Sequence, residues 1–237
     1  MLILLLGAAL LIGLSLGLLG GGGSVLAVPV LVYGAGFPAR EAIASSLVVV
    51  GLSSLLGGLL SWRSISRRAV FSYAGWGMLG TYAGARLAAW MSDATQMTLF
   101  SLTVVVVAAL MLRSTPAGAA HSLVLPALFG GVLTGIVGVG GGFLIVPTLV
   151  LAGGLEMPRA VPTSLLIIAL NSAAGLVGYA GETSLALPFL SLFTVAVLLG
   201  LILGARVARH VNPARLRQGF AAFLLFVGGL SLIQNLS

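Results

Sequence analysis

The stretch Gly20-Gly21-Gly22-Gly23-Ser24-Val25-Leu26-Ala27-Val28-Pro29 lies inside otherwise apolar sequence, and a second version follows as Gly138-Val139-Gly140-Gly141-Gly142-Phe143-Leu144-Ile145-Val146-Pro147. Each glycine costs a helix about 1 kcal/mol relative to alanine, so four in succession break it. In hydrocarbon the freed backbone groups find no water, and such a break is tolerated only where it is buried in protein or lines a cavity. Paired Gly/Pro interruptions at matching positions of two halves therefore mark a duplicated membrane protein and point to a central site between the halves.

Around this motif, 59% of the 237 residues are hydrophobic and 6% are charged. Uncharged apolar stretches of about 20 residues recur, each long enough to cross a bilayer. This excludes a soluble domain. All 11 basic residues are arginines against four acids, so the net charge of +7 reflects scarce acids and not a basic patch. Only 63–68 and 206–217 approach an arginine cluster, and both read as topology signals, which argues against nucleic acid as a partner. Zero Cys excludes disulfides and thiolate metal sites. The apolar start, 1–19, lacks the basic region of a signal peptide and runs straight into the glycine motif, so it reads as mature structure.

Aligning Pro29 with Pro147 also pairs Gly17 with Gly135, Ala42 with Ala160, Ser45-Ser46-Leu47 with Thr163-Ser164-Leu165, and Gly57 with Gly175. At a spacing two residues longer, Gly80, Gly84, Ala85, Arg86 and Ala88 match Gly200, Gly204, Ala205, Arg206 and Ala208. The expected fold is an all-α polytopic membrane protein forming a single membrane domain of two repeats. Repeat 1, 1–118, holds a broken segment at 2–33 and helices at 42–62, 70–90 and 96–112. Repeat 2, 119–237, holds a broken segment at 122–152 and helices at 160–180, 187–207 and 216–234.

Arginine sets the orientation, because short cytoplasmic loops collect it. Arg63, Arg67 and Arg68 follow the first long helix of repeat 1, whereas the matching loop of repeat 2, 181–186, has none. At the next loop the bias reverses, with Arg209, Arg215 and Arg217 in repeat 2. The repeats are therefore expected to be inverted, with 61–68, 113–121 and 208–217 cytoplasmic and 91–95 and 181–186 external. Three crossings follow each broken segment, so that segment must enter and leave on one side. It reads as a re-entrant helical hairpin with its glycines near the midplane.

In a re-entrant pair of half-helices, the free amides opening the second half-helix carry the positive end of its dipole and suit an anion. That reading puts a small anionic substrate at Gly21, Gly22, Gly23, Ser24 and Val25 and at Gly140, Gly141, Gly142 and Phe143, with Ser24 as N-cap and hydroxyl donor. Close helix packing by small residues is the competing account of the glycines. The helices that follow carry Ser45, Ser46, Ser53 and Ser54 against Thr163, Ser164, Asn171 and Ser172. Asn171 is the only side-chain amide expected near the membrane centre, and an intramembrane polar group is a functional candidate by default. The hydroxyls can equally bond their own helix carbonyls. Arg86 and Arg206 hold matched places near helix ends, either as headgroup anchors or as forked oxyanion contacts at the two mouths of a path. The acids Glu41, Asp93, Glu156 and Glu182, and both histidines, His121 and His210, are assigned to loops. With no nucleophile–base pair, metal set or cofactor motif inside the membrane, an enzyme finds no support.

The two motif copies, with the pairs Ser45-Ser46 and Thr163-Ser164, resemble the sulfite exporter TauE/SafE family, and the resemblance covers essentially the whole chain. It implies transport across the inner membrane, usually outward, of small sulfur oxyanions or organosulfur anions such as sulfite or sulfoacetate. The residues by themselves reach a small anion, a central site and inverted halves in the lipid bilayer. More distantly the chain is similar to thiosulfate-uptake proteins whose re-entrant loops carry cysteines, which are absent here. Export needs no coupling carboxylate, since an anion leaving a negative cytoplasm gains about 2.3 kcal/mol per charge per 100 mV. The rival readings are a passive channel for anions or small solutes and a non-transporting membrane scaffold.

Overall fold

The computed structural model describes residues 2–113, 123–137, 141–179, 187–208 and 210–236. Among them there is no strand. α1 (Leu2–Leu19) ends at Gly20 and α2 (Gly22–Pro29) begins almost at once. Pro29 brings no amide to its ladder, and α2 runs on into a π-helical turn, Val30–Gly34, closed by the Ala35 amide donating to the Val30 carbonyl at 3.1 Å. Next come α3 (Ala39–Leu60), a 3-10 turn at Trp62–Ser64, α4 (Arg67–Ala88) and α5 (Asp93–Arg113). The second half repeats the order as α6 (Val124–Val137), α7 (Gly142–Leu151), α8 (Met157–Gly178), α9 (Leu187–Ala208) and α10 (Pro213–Leu236).

Among the described residues, five of the six long helices begin earlier than the first apolar residues suggest. Their opening turns carry polar residues, and two of them, those of α5 and α10, have a side-chain cap. In α10 the Asn212 side-chain oxygen accepts from the Ala214 amide at 2.9 Å, with Pro213 in the first helical position. For the same reason two acids assigned to loops belong to helices: Glu41 sits in the first turn of α3, and Asp93 opens α5. Glu156 is the N-cap of α8. His210 follows α9 outside any helix, while His121, Glu182, the repeat boundary at 118/119 and the loops around them lie outside the described residues.

Among the described residues, four helices are long and apolar enough to cross a membrane: Leu2–Leu19, Arg40–Leu60, Met157–Gly178 and Pro188–Ala208. α1, at 18 residues, is one of them and extends about 27 Å. It nevertheless folds straight back: Gly23 lies against Ile12 and Leu16, and Gly34 against Leu5, so α1 and α2 with its π turn form an antiparallel hairpin.

The main helix pairs respect the duplication. α1 packs on α9 and α4 on α6, while α3 packs on α8 and α5 on α10. Exchanging the halves leaves this set unchanged. In the first two pairs glycines let the backbones touch. Gly13 and Gly17 meet Val197 and Leu201, Gly80 and Gly84 meet Leu128 and Val132, and both pairs run parallel. α3 and α8 run antiparallel, since Leu47 lies by Gly175, Gly51 by Ser172, and Gly57 and Gly58 by Leu165 and Leu166.

The bundle has two distinct ends. At one, Ser66 donates its amide to Thr163 Oγ1 at 2.9 Å, and the turn at 59–64 lines a common cavity with Pro158, Pro162, Ala205, Ala208 and Leu216. At the other, Arg40 donates to the Ala89 carbonyl at 2.6 Å, Gln96 Nε2 donates to the Ala88 carbonyl at 3.0 Å, and the Phe37 and Phe189 rings stand 5.6 Å apart.

Candidate functional site

The hairpin tips meet. Gly20 and Gly141 take left-handed backbone conformations, φ 74° and 71°, which L side chains rarely adopt, and these turns reverse the chain at the two tips. Gly21 and Gly142 are in backbone contact: a Cβ on Gly21 would overlap the Gly142 carbonyl, and one on Gly142 would lie 2.5 Å from Gly21 Cα. The junction sits beside Ile168, close to the middle of α8. Here the backbones touch where an anion was expected between them, so at Gly21 and Gly142 the glycines serve close approach. Ser24 is not the N-cap, because α2 starts at Gly22 with Gly21 as cap, and its hydroxyl donates back to the Gly21 carbonyl at 2.7 Å. Val25 and Phe143 are fully buried. Gly22 packs against Leu19 and Phe220, and Gly23 against α1. Gly140 lies outside the described residues.

The intramembrane hydroxyls divide into two groups. Ser46, Thr163 and Ser164 donate to the Ile43, Arg159 and Val161 carbonyls of their own helices at 2.6–2.8 Å. They are satisfied locally. Ser45, Ser53 and Ser54 on α3 and Asn171 and Ser172 on α8 are buried with side-chain polar atoms that have no hydrogen-bond partner. An orphaned buried polar group costs about 1–3 kcal/mol and calls for an explanation. Asn171 is completely buried, and its Oδ1 faces Gly77 of α4, where the Tyr73 ring also lies. Ser172 faces Gly51 in the α3–α8 seam. By the repeat spacing Ser53 and Ser54 are the counterparts of Asn171 and Ser172. The sequence showed these four in register; their lack of partners appears only once the helices are packed.

Below the tips lies a cavity of about 850 Å³. Its deep wall is Gly17, Gly57, Val161 and Leu165, and its rim carries Trp62, Arg63 and Arg206. Gly20 packs against Val161 and Ser164, so the cavity ends next to the first hairpin tip. Arg206 and Arg86 both occupy the last turn of their helices and are exposed, but only Arg206 lines this cavity. The rim residue Arg63 was assigned only a topological role by the sequence, since nothing in a loop arginine reveals what its neighbours enclose. Among the described residues no three His, Asp or Glu side chains gather as a metal set.

Comparison with known proteins agrees with this architecture. A family model described as "Sulfite exporter TauE/SafE" matches residues 5–230. A protein of Xylella fastidiosa strain Temecula1 named "Probable membrane transporter protein" is 34% identical over 181 residues, covering 70% of this chain and 69% of its own. A similarly named protein of Methanocaldococcus jannaschii is 24% identical over 98% of this chain and 97% of its own. No solved structure matches the chain. The duplicated glycine motif, the all-helical membrane bundle and a family match over nearly the full length lead to one conclusion: this chain is a multi-pass membrane transporter of the TauE/SafE family.

Proposed function

We propose that the chain exports sulfite or a related small sulfur oxyanion or organosulfonate, and that its halves are inverted repeats, each led by a re-entrant hairpin. The observation that carries this reading is the 850 Å³ vestibule, with two guanidinium groups at its rim and a wall that ends beside the hairpin junction. Arg63, Arg67, Arg68, Arg206, Arg215 and Arg217 gather at or next to that end of the bundle, and the positive-inside bias makes it cytoplasmic. An anion collected there is loaded for export down the membrane potential. Inversion is supported by α3 and α8, which are repeat counterparts yet run antiparallel. Two membrane-crossing helices related by a two-fold axis are antiparallel only when that axis lies in the membrane plane. The chemistry needed is binding and release, with no bond made or broken, so the protein acts as a carrier and not as an enzyme.

Beyond the vestibule the orphaned polar atoms of Asn171, Ser172, Ser53 and Ser54 supply uncharged hydrogen-bond donors around the bundle centre. Neutral donors hold an oxyanion without trapping it, which suits a site that must release its ligand on the other side. The test is sulfite efflux from proteoliposomes with a negative interior, with sulfate, thiosulfate, sulfoacetate and taurine as competitors. Saturable efflux that sulfite or a sulfonate competes for is the expected result. Folded protein that moves none of these anions would overturn the assignment, and flux that never saturates would favour a channel.

A further inference from the structure

The two halves share a sequence pattern but are not packed alike. Through the repeat spacing, the vestibule residues Gly17, Gly57, Leu165, Leu201, Ala205 and Leu216 correspond to Gly135, Gly175, Leu47, Thr81, Ala85 and Gln96 at the opposite end. There the space is filled. Ala85 and Tyr179 are buried, whereas their counterparts Ala205 and Ser61 are partly exposed. Gly178 is buried, with a Cβ there 2.6 Å from that of Ala85, whereas its counterpart Leu60 is exposed. α4 packs along α8 more extensively than its counterpart α9 packs along α3.

Two hydrogen bonds seal the closed end. The Tyr179 hydroxyl donates to the Gly135 carbonyl at 3.1 Å, and Gln96 Nε2 donates to the Ala88 carbonyl at 3.0 Å. Neither has an equivalent at the open end. The counterpart of Tyr179 is Ser61, the counterpart of Gln96 is Leu216, and both line the vestibule. Serine is too short to repeat the Tyr179 bridge, and leucine has nothing to donate.

We propose that the chain alternates between two states that exchange the packing of its halves, and that Tyr179 and Gln96 form the outer gate. This rests on the reading of the chain as a transporter of inverted halves. The structure is then the inward-open state. Opening outward moves α4, with its tight partner α6, away from α8, to the looser packing that α9 with α1 makes against α3 here. Arg86 lines the outer mouth in that state as Arg206 lines the inner one in this state. The asymmetry also explains why one arginine of a matched pair borders a cavity and the other does not. Both gate bonds exist in one state only, so each shifts the balance between the states by its own net strength, about fivefold in population.

The chain has no cysteine, so single cysteines report accessibility without background. Ala205→Cys probes the inner vestibule and Thr81→Cys, a near-isosteric change, probes its closed counterpart. Both are labelled with a membrane-impermeant maleimide from each side, alone and combined with Tyr179→Phe or with Gln96→Leu, the residue the other half uses. With the gate intact, Ala205→Cys labels from the inner side and Thr81→Cys stays protected. Either gate variant is expected to speed outer labelling of Thr81→Cys about fivefold and to slow that of Ala205→Cys. If the two sites respond in parallel, or if both folded variants leave the rates unchanged, the gate is wrong. Size-exclusion profiles identify a variant that fails to fold; the other then decides, and a Thr81→Cys that labels freely with the gate intact refutes the closed end outright. The readout needs no substrate. A wrong anion leaves the labelling pattern intact, whereas a wrong gate leaves sulfite efflux intact and labelling unresponsive.

Discussion

Replacing Asn171 with leucine separates a residue kept for stability from one kept for passage. Asn171 is fully buried and neither its Oδ1 nor its Nδ2 has a partner. Leucine has the branched outline of asparagine with larger methyl ends and brings no polar atom, so Asn171→Leu removes the cost of two unmet groups without opening a void. In a water-soluble protein each orphaned group costs about 1–3 kcal/mol. In a bilayer the unfolded reference also finds partners, and measured interhelical hydrogen bonds average about 0.6 kcal/mol. The expected gain for Asn171→Leu is therefore about 1 kcal/mol, or about 3 °C in melting temperature for a chain of this length. Transport should fall tenfold or more, because the anion loses both a donor and the polar surface beside Gly77. The assay pairs a melting curve in detergent with efflux from proteoliposomes using one preparation. A destabilised Asn171→Leu would mean that the amide has partners in the folded protein, and undiminished efflux would remove it from the path. Either result refutes the reasoning.

The hairpin junction should be intolerant of even one methyl group. Gly21→Ala and Gly142→Ala, which drive a Cβ into the facing backbone, should lower folded yield and melting temperature sharply, whereas Gly75→Ala and Gly219→Ala, which meet nothing within 4 Å, should leave both unchanged. At the vestibule rim, Arg206→Gln should raise the cytoplasmic sulfite concentration for half-maximal efflux about threefold to tenfold with little change in stability. Arg206→Lys should recover part of this, since an ammonium lacks the planar fork; free exchange with lysine would leave Arg206 a headgroup anchor. For orientation, cysteines within 61–68 and 208–217 should label from one side of sealed vesicles and cysteines within 91–95 from the other. Labelling of 208–217 from the same side as its repeat counterpart 91–95 would end the inverted-repeat reading.

Much of the fold is legible before any contact is known. Uninterrupted apolar runs allow only helices in a bilayer, because helices alone satisfy every backbone group locally. The glycine runs at 20–23 and 140–142 can then only be interruptions, and the matched Gly-Ala-Arg turns at 84–86 and 204–206 fix the duplication. Helix starts were less legible, since polar first turns such as Glu41 and Asp93 carry no apolar signal.

The site depends on long-range packing, and there the sequence reached residue types but not their circumstances. Ser46 and Ser53 are the same residue on the same helix, yet one bonds its own Ile43 carbonyl and the other has no partner. Gly21 and Gly142, 121 positions apart, touch only because two hairpins converge beside α8. Arg86 and Arg206 share a motif and a helical position, but the cavity is lined by Arg206 and not by Arg86, because corresponding helices of the two halves pack together to different extents. Local sequence dictates backbone satisfaction and so the helices and their breaks. Which polar groups stay unpaired, and which end of the molecule is open, is a property of how distant helices meet, and only the tertiary structure determines it.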